Sequence, residues 1–184
     1  SSILIYNTFG SIDETSIENF ASIIEVTSEI AKKNLKEGYH LETSYPNLVW
    51  LLRDFSLDLG SKTSQDYLDE ILVKKDPTKS ESETERKKIL KKNQLRERIT
   101  SFFEKRDCFT LPRPVNNEKL LQKLDKLEDE SKLKKGFVDE IQSFTKLLML
   151  YVNPKKLGVG SMTGNILKNY LFDLTKYFNS GELP

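Results

Sequence analysis

Two short apolar runs separated by one long helical period limit the fold more than any other feature of the chain. Ser2 to Tyr6 reads as a short interior strand, and Asn47 to Leu52 as a second, rich in Val, Leu and Trp. Between them Ile17, Phe20, Ile24, Thr27 and Ile30 recur at helical spacing, which predicts a helix from about Asp13 to Lys33. Ser11 to Glu14 has the S-x-x-E pattern of a capping box at its start. The polar stretch KEGYHLETSYP predicts the loop that leads into the second strand. A strand, a helix and a strand in this order make a right-handed parallel crossover the default, which places the chain in the α/β class.

The remainder is helix-rich. Thr63 with Asp66 three residues on predicts a capped short helix in KTSQDYLDEIL. Asp107 to Leu111 predicts a third strand, followed by the stiff Pro112-Arg113-Pro114. Leu120, Leu121, Leu124 and Leu127 mark a helix behind it, and Phe137, Ile141, Phe144, Leu148 and Tyr151 mark another. A last helix carries Ile166, Leu167, Tyr170, Leu171, Leu174 and Phe178. At 184 residues this is one domain with a few parallel strands and surrounding helices. The abrupt opening on a strand and the stop after a helix suggest a fragment of a longer protein.

Composition excludes more than it assigns. Twenty-nine basic and 28 acidic residues leave a net charge of +1, so nothing global favours nucleic acid or a membrane surface. The opening SSILIYNTFG lacks a basic leader, and no run is long enough to span a bilayer. Cys108 and His40 are the only cysteine and histidine, which excludes an intramolecular disulfide and argues against a Cys/His zinc site or a Cys-His dyad. A single free thiol fits a cytoplasmic location. The segment Lys74 to Arg98 holds ten basic and five acidic residues. An RNA-binding arm there would bind with steep salt dependence. The plainer reading is a solvated loop running into a surface helix whose Leu95, Ile99, Phe102 and Phe103 face a core, because no aromatic interleaves the charges.

Catalytic constellations are hard to find. LGVGSMTG puts Thr163 where G-x-G-x-x-G needs glycine, and no G-x-x-x-x-G-K occurs, so the segment reads as a turn in which Thr163 caps the last helix. Carboxylate pairs such as Asp129 and Glu130 sit among lysines and read as solvated faces. No catalytic residue and no metal ligand is expected.

One stretch stands apart. VWLLRDFSLDL ends a buried strand on Arg53 and Asp54, where open α/β sheets bind ligands. An ionised aspartate is acceptor-only and matches the paired N–H donors of guanine's N1 and 2-amino group. Adenine would present an acceptor instead, at a cost of about 1–3 kcal/mol. Arg53 would stack on the base or steady the carboxylate. On the residues alone the plainer alternative is a surface ion pair at a strand end.

VWLLRDFSLDL, together with SSILIYNTFGSID, RDCFTLPRPVNNEKLLQKLDKL, VGSMTGNIL and NSGELP in the same order, resembles the guanylate-binding protein family. These are large GTPases of the dynamin superfamily, and the wording is nearest to plant and protist members. The resemblance implies a partial P-loop-type GTPase domain, with residues 1–184 as its C-terminal part and the P-loop, switch and magnesium motifs absent. It implies that Arg53 and Asp54 read guanine and that Phe109, Leu111, Arg113, Pro114 and Val115 belong to a guanine cap. At Asn117 the chain has a neutral residue where vertebrate members carry a second arginine. The implied ligands are GTP or GDP, with Mg2+ in the full-length protein, and the implied partner is a second copy through the GTPase domain. The parent would hydrolyse GTP, and this chain alone would not. The rival expectation is a non-catalytic protein-interaction module derived from such a domain.

Overall fold

The computed structural model describes residues 3–36, 46–80, 82–127, 129–152, 156–157 and 160–180. Strand β1 (Ile3–Phe9), helix α1 (Glu14–Lys36), strand β2 (Asn47–Arg53), helices α2 (Ser64–Leu72) and α3 (Glu83–Phe102), and strand β3 (Arg106–Leu111) form the α/β part. A short α4 (Glu118–Leu121), then α5 (Lys135–Tyr151), a hairpin of β4 (Lys156–Leu157) and β5 (Gly160–Ser161), and α6 (Gly164–Ser180) complete the chain. The sheet has the order β1-β2-β3 and both pairings are parallel, as the strand-helix-strand pattern predicts.

Strand β2 is central, which explains its unbroken apolar run. Leu48, Trp50 and Leu52 face one side, where Ile17, Phe20 and Ile24 of α1, Leu68 and Leu72 of α2, and Ile99 of α3 close over them. Phe20 organises this layer: it stacks on Tyr6 at 4.3 Å and on Phe103 at 5.6 Å and meets Trp50 edge-on. Val49 and Leu51 face the other side with Leu111, beneath Phe144 of α5. Truncating a fully buried ring such as Phe20 or Trp50 to alanine removes about 3–5 kcal/mol. On that face Ile3 of β1 packs against the same cluster, whereas Ile5 and Phe9 of β1 are exposed.

The helix starts follow their side chains. Thr63 and Asp66 form the expected capping box, Thr63 accepting from the Asp66 backbone and Asp66 from the Thr63 N–H. At α1 the cap is Asp13, not Ser11: the Ser16 N–H donates to Asp13 Oδ1 at 2.7 Å. Glu14 is unavailable to a capping box because it turns to Arg96 of α3. The helix expected across Leu120 to Leu127 is also corrected. It is one turn of α4 followed by 3-10 turns at Leu124–Lys126 and Glu130–Lys132. All four leucines are only half-buried, and so shallow a surface does not hold a longer helix. Thr163 accepts from the Ile166 N–H at the start of α6, as expected, and the segment before it is a hairpin. The predicted loop carrying His40, and the side chains of Thr27, Ile30 and Phe178, lie outside the described residues.

Candidate functional site at the strand ends

The carboxyl ends of the three parallel strands meet at Gly10, Arg53 and Leu111. The Gly10 N–H donates to Arg53 O at 2.7 Å, and the Phe55 N–H donates to Leu111 O at 3.0 Å. The chain leaving β2 is therefore tied to both neighbours, on either side of Asp54. Between the two ties Asp54 takes φ 53°, the only positive φ at a non-glycine among the described residues. Aspartate tolerates this region better than most residues, yet it costs about 1–2 kcal/mol.

Arg53 and Asp54 do not pair. Arg53 is exposed and its Nε donates to Asn7 Oδ1 of β1 at 2.8 Å. Among the described residues the half-buried Asp54 carboxylate accepts no hydrogen bond and joins no ion pair. The surface ion pair that the residues alone favoured is thus not formed. A free, acceptor-only carboxylate on a strained residue at a strand's end can take a pair of donors from a planar ligand.

The segment expected to cap the site divides in two. Phe109 packs on Phe144 at 5.4 Å, and Leu111 joins the same layer under α5. Val115 is buried, and the Lys134 N–H donates to Pro114 O at 2.8 Å, so α5 anchors this loop at both ends. Arg113 and Pro114 are half-buried, Arg113 between the two anchors and Pro114 at the second. Arg113 is held by Glu118 at 2.6 Å, and Asn117 spends its side chain capping α4 through the N–H groups of Lys119 and Leu120.

Other polar groups are placed elsewhere. A cleft lined by Lys74, Lys75, Asp76, Lys79, Ser80 and Glu85 lies beside the start of α3, away from the strand ends. Much of the basic segment is occupied: Arg96 binds Glu14, Arg98 binds Glu25, Lys74 binds Glu97 and Lys87 binds Glu83. The Cys108 thiol is buried, and burial, with Asp69 and Asp107 nearby, pushes it up to about 12. Among the described residues no group of three or more His, Cys, Asp and Glu is placed to hold a metal ion. No described helix is long and apolar enough to cross a membrane.

Two residues escaped sequence reasoning. Asn7 carried a signal, since asparagine is depleted inside strands and IYNTF is otherwise a good one. Arg96 carried none, being one of ten bases in a charged run.

Comparison with known proteins points to one family. The model of the guanylate-binding protein N-terminal domain matches residues 1–157. Guanylate-binding protein 1 of Mus musculus is 33% identical over 195 residues, covering 100% of this chain and 32% of the relative. Guanylate-binding protein 1 of Homo sapiens is 31% identical over 197 residues, again across 100% of this chain and 32% of the relative. Guanylate-binding protein 6 of Mus musculus is 31% identical over 195 residues, with 100% and 31% covered. The chain thus spans about a third of the length of these relatives.

Proposed function

This chain belongs to the guanylate-binding protein family, and on that premise we propose that it is the base-reading, C-terminal part of a large GTPase domain. The observation that carries the reading is the unpartnered Asp54 carboxylate, raised at φ 53° between two backbone ties at the strand ends. Its two oxygens accept guanine's N1–H and 2-amino group in parallel. Adenine offers no such pair and is rejected by lone-pair repulsion. Arg53 packs beside the base, and the segment from Phe109 to Val115 closes over it, with Arg113 facing the ligand and the anchored residues, Pro114 among them, holding the loop.

The chemistry of hydrolysis belongs to the longer protein. Phosphoryl transfer needs a phosphate cradle and a metal, and G-x-x-x-x-G-K-[ST] occurs nowhere in these 184 residues. The parent hydrolyses GTP with Mg2+ held by residues outside this chain, and pairs with a second copy through the domain that this chain completes. The lone buried thiol of Cys108 suits a cytoplasmic setting. Purified alone, the chain turns over GTP no faster than a mock preparation.

A calorimetric titration with GDP and ADP tests the reading. GDP binds, ADP does not, and Asp54→Asn weakens GDP by about ten- to a hundredfold, the worth of one hydrogen bond to a charged group. Equal binding of both nucleotides, or none at all by a folded chain, refutes it.

A further inference from the structure

We propose that Asn7 is a positioning residue for the base-reading pair: it captures Arg53 by Nε and keeps the guanidinium off Asp54, so that the carboxylate stays open to guanine. The inference rests on the reading of Asp54 given above and adds the device that keeps it available.

A free guanidinium that reaches a neighbouring aspartate can engage it in bidentate fashion, since its fork matches a carboxylate. A carboxylate so engaged has its oxygens filled and its charge offset, and it is a poor acceptor for a base edge. Here Arg53 turns the other way. Phe9 is its register partner on β1, and its Nε reaches back to Asn7, two residues earlier on the same face. Among the described residues its other donors make no hydrogen bond, so one contact decides where the side chain lies. Stability does not account for Asn7. It is exposed, its bond to Arg53 is exposed, and asparagine is a poor strand former between Tyr6 and Thr8. Its neighbours on that face of β1, Ile5 and Phe9, offer Arg53 no acceptor side chain, and the carboxylate adjacent to it in the chain is that of Asp54.

The test uses the chain with Asn7→Ala and Asn7→Asp, the second of which keeps an acceptor for Nε. Asn7→Ala weakens GDP about tenfold at low salt without lowering the thermal midpoint, and Asn7→Asp stays near the parent affinity. Because the competitor in Asn7→Ala is an exposed ion pair, the loss relative to the parent shrinks as salt rises toward about 0.5 M. A loss independent of salt, or no loss, overturns the proposal. Exchange of the Arg53 Nε–H, followed by NMR without nucleotide, supplies a readout independent of binding. It is protected in the parent and in Asn7→Asp and fast in Asn7→Ala; fast exchange in the parent overturns the proposal. If the parent fails to bind GDP while its Nε–H is protected and Asn7→Ala releases it, the guanine reading falls and the positioning contact stands.

Discussion

Replacing Arg96 by methionine should destabilise the fold as much as a change in the core, although the residue sits on a charged surface helix. Arg96 is 3% exposed on a helix half of whose residues are charged. Its Nη2 lies 2.6 Å from Glu14 Oε1, Nη1 reaches Glu14 Oε2 at 3.3 Å and Lys92 O at 3.2 Å, and Nε donates to Ile71 O at 2.8 Å. One side chain therefore joins the start of α1, the end of α2 and the body of α3. Methionine keeps much of the volume but leaves Ile71 O, at a helix C-terminus, without its donor. Breaking a buried pair costs about 3–5 kcal/mol, and because the Glu14 side chain is 34% exposed and can rehydrate, about 3 is expected. Glu14→Ala should cost at least as much, since the charge it strands is the buried one. Burial pushes the Glu14 carboxyl up, but the hydrogen bonds and charge of Arg96, with Lys92 and Lys75, outweigh it and hold it below the usual carboxylate range. A carboxylate depressed in the fold contributes stability above its unfolded value, near 4.3, and loses it as pH falls through the folded one. Urea unfolding at pH 7 and pH 3 reads both effects. With slopes of about 1–3 kcal/mol per molar, the Arg96→Met midpoint drops by about 1–3 M at pH 7, and its further acid loss is smaller than the parent's. A loss below about 1 kcal/mol at pH 7, the range of exposed pairs, would refute the reasoning.

Three further outcomes are expected. Asp54→Gly relieves the positive φ and stabilises the chain by up to about 1 kcal/mol while abolishing GDP binding, so a chemical melt and a titration of one variant should move in opposite directions. The hydroxyl of Tyr151 donates to Asp107 Oδ2 at 2.6 Å, and that bond, then burial, push its ionisation up to about 12. A phenol raised in the fold contributes stability below its unfolded value near 10 and loses it as pH climbs toward 12. An ultraviolet titration should show a late tyrosinate step that Tyr151→Phe removes. Cys108 should react with a disulfide reagent at pH 8 about a hundredfold more slowly in the native chain than in urea, and comparable rates would mean that its strand opens readily.

What the sequence disclosed follows the range of the interactions involved. The run from Leu48 to Leu52 announces a strand buried on both faces, because each residue's burial depends on its own hydrophobicity. The Thr63–Asp66 box is equally local, closed within three residues. Ser11 misled because a capping box needs a free glutamate at its fourth position, and Glu14 is claimed by an arginine 82 residues away. Leu120 to Leu127 misled for a related reason: helical spacing supplies a stripe, but no deep surface lies opposite to receive it. The position of Arg53 and Asp54 was legible, since charges ending a buried run must lie at the sheet's rim. Their separation was not, because it depends on Asn7, a neighbour only once β1 and β2 pair in register.

The strain at Asp54 and the sheet beneath it are nearly balanced, and this ties the site to the strands. The left-handed conformation costs about 1–2 kcal/mol. The two flanking backbone bonds, Gly10 to Arg53 and Phe55 to Leu111, each contribute about 1 kcal/mol. Neither alone holds the conformation with a margin; together they do. Gly10, the donor of the first bond, itself adopts φ 67°, where a side chain would be strained. Loosening β1 at Gly10 would therefore let Asp54 relax toward ordinary strand geometry, even with every residue that touches the base intact. Such a change would appear as lost nucleotide binding with little lost stability. By the same balance, a ligand that bonded to both Asp54 oxygens would add more than the strain removes, so that ligand and the ordered strand ends would stabilise each other.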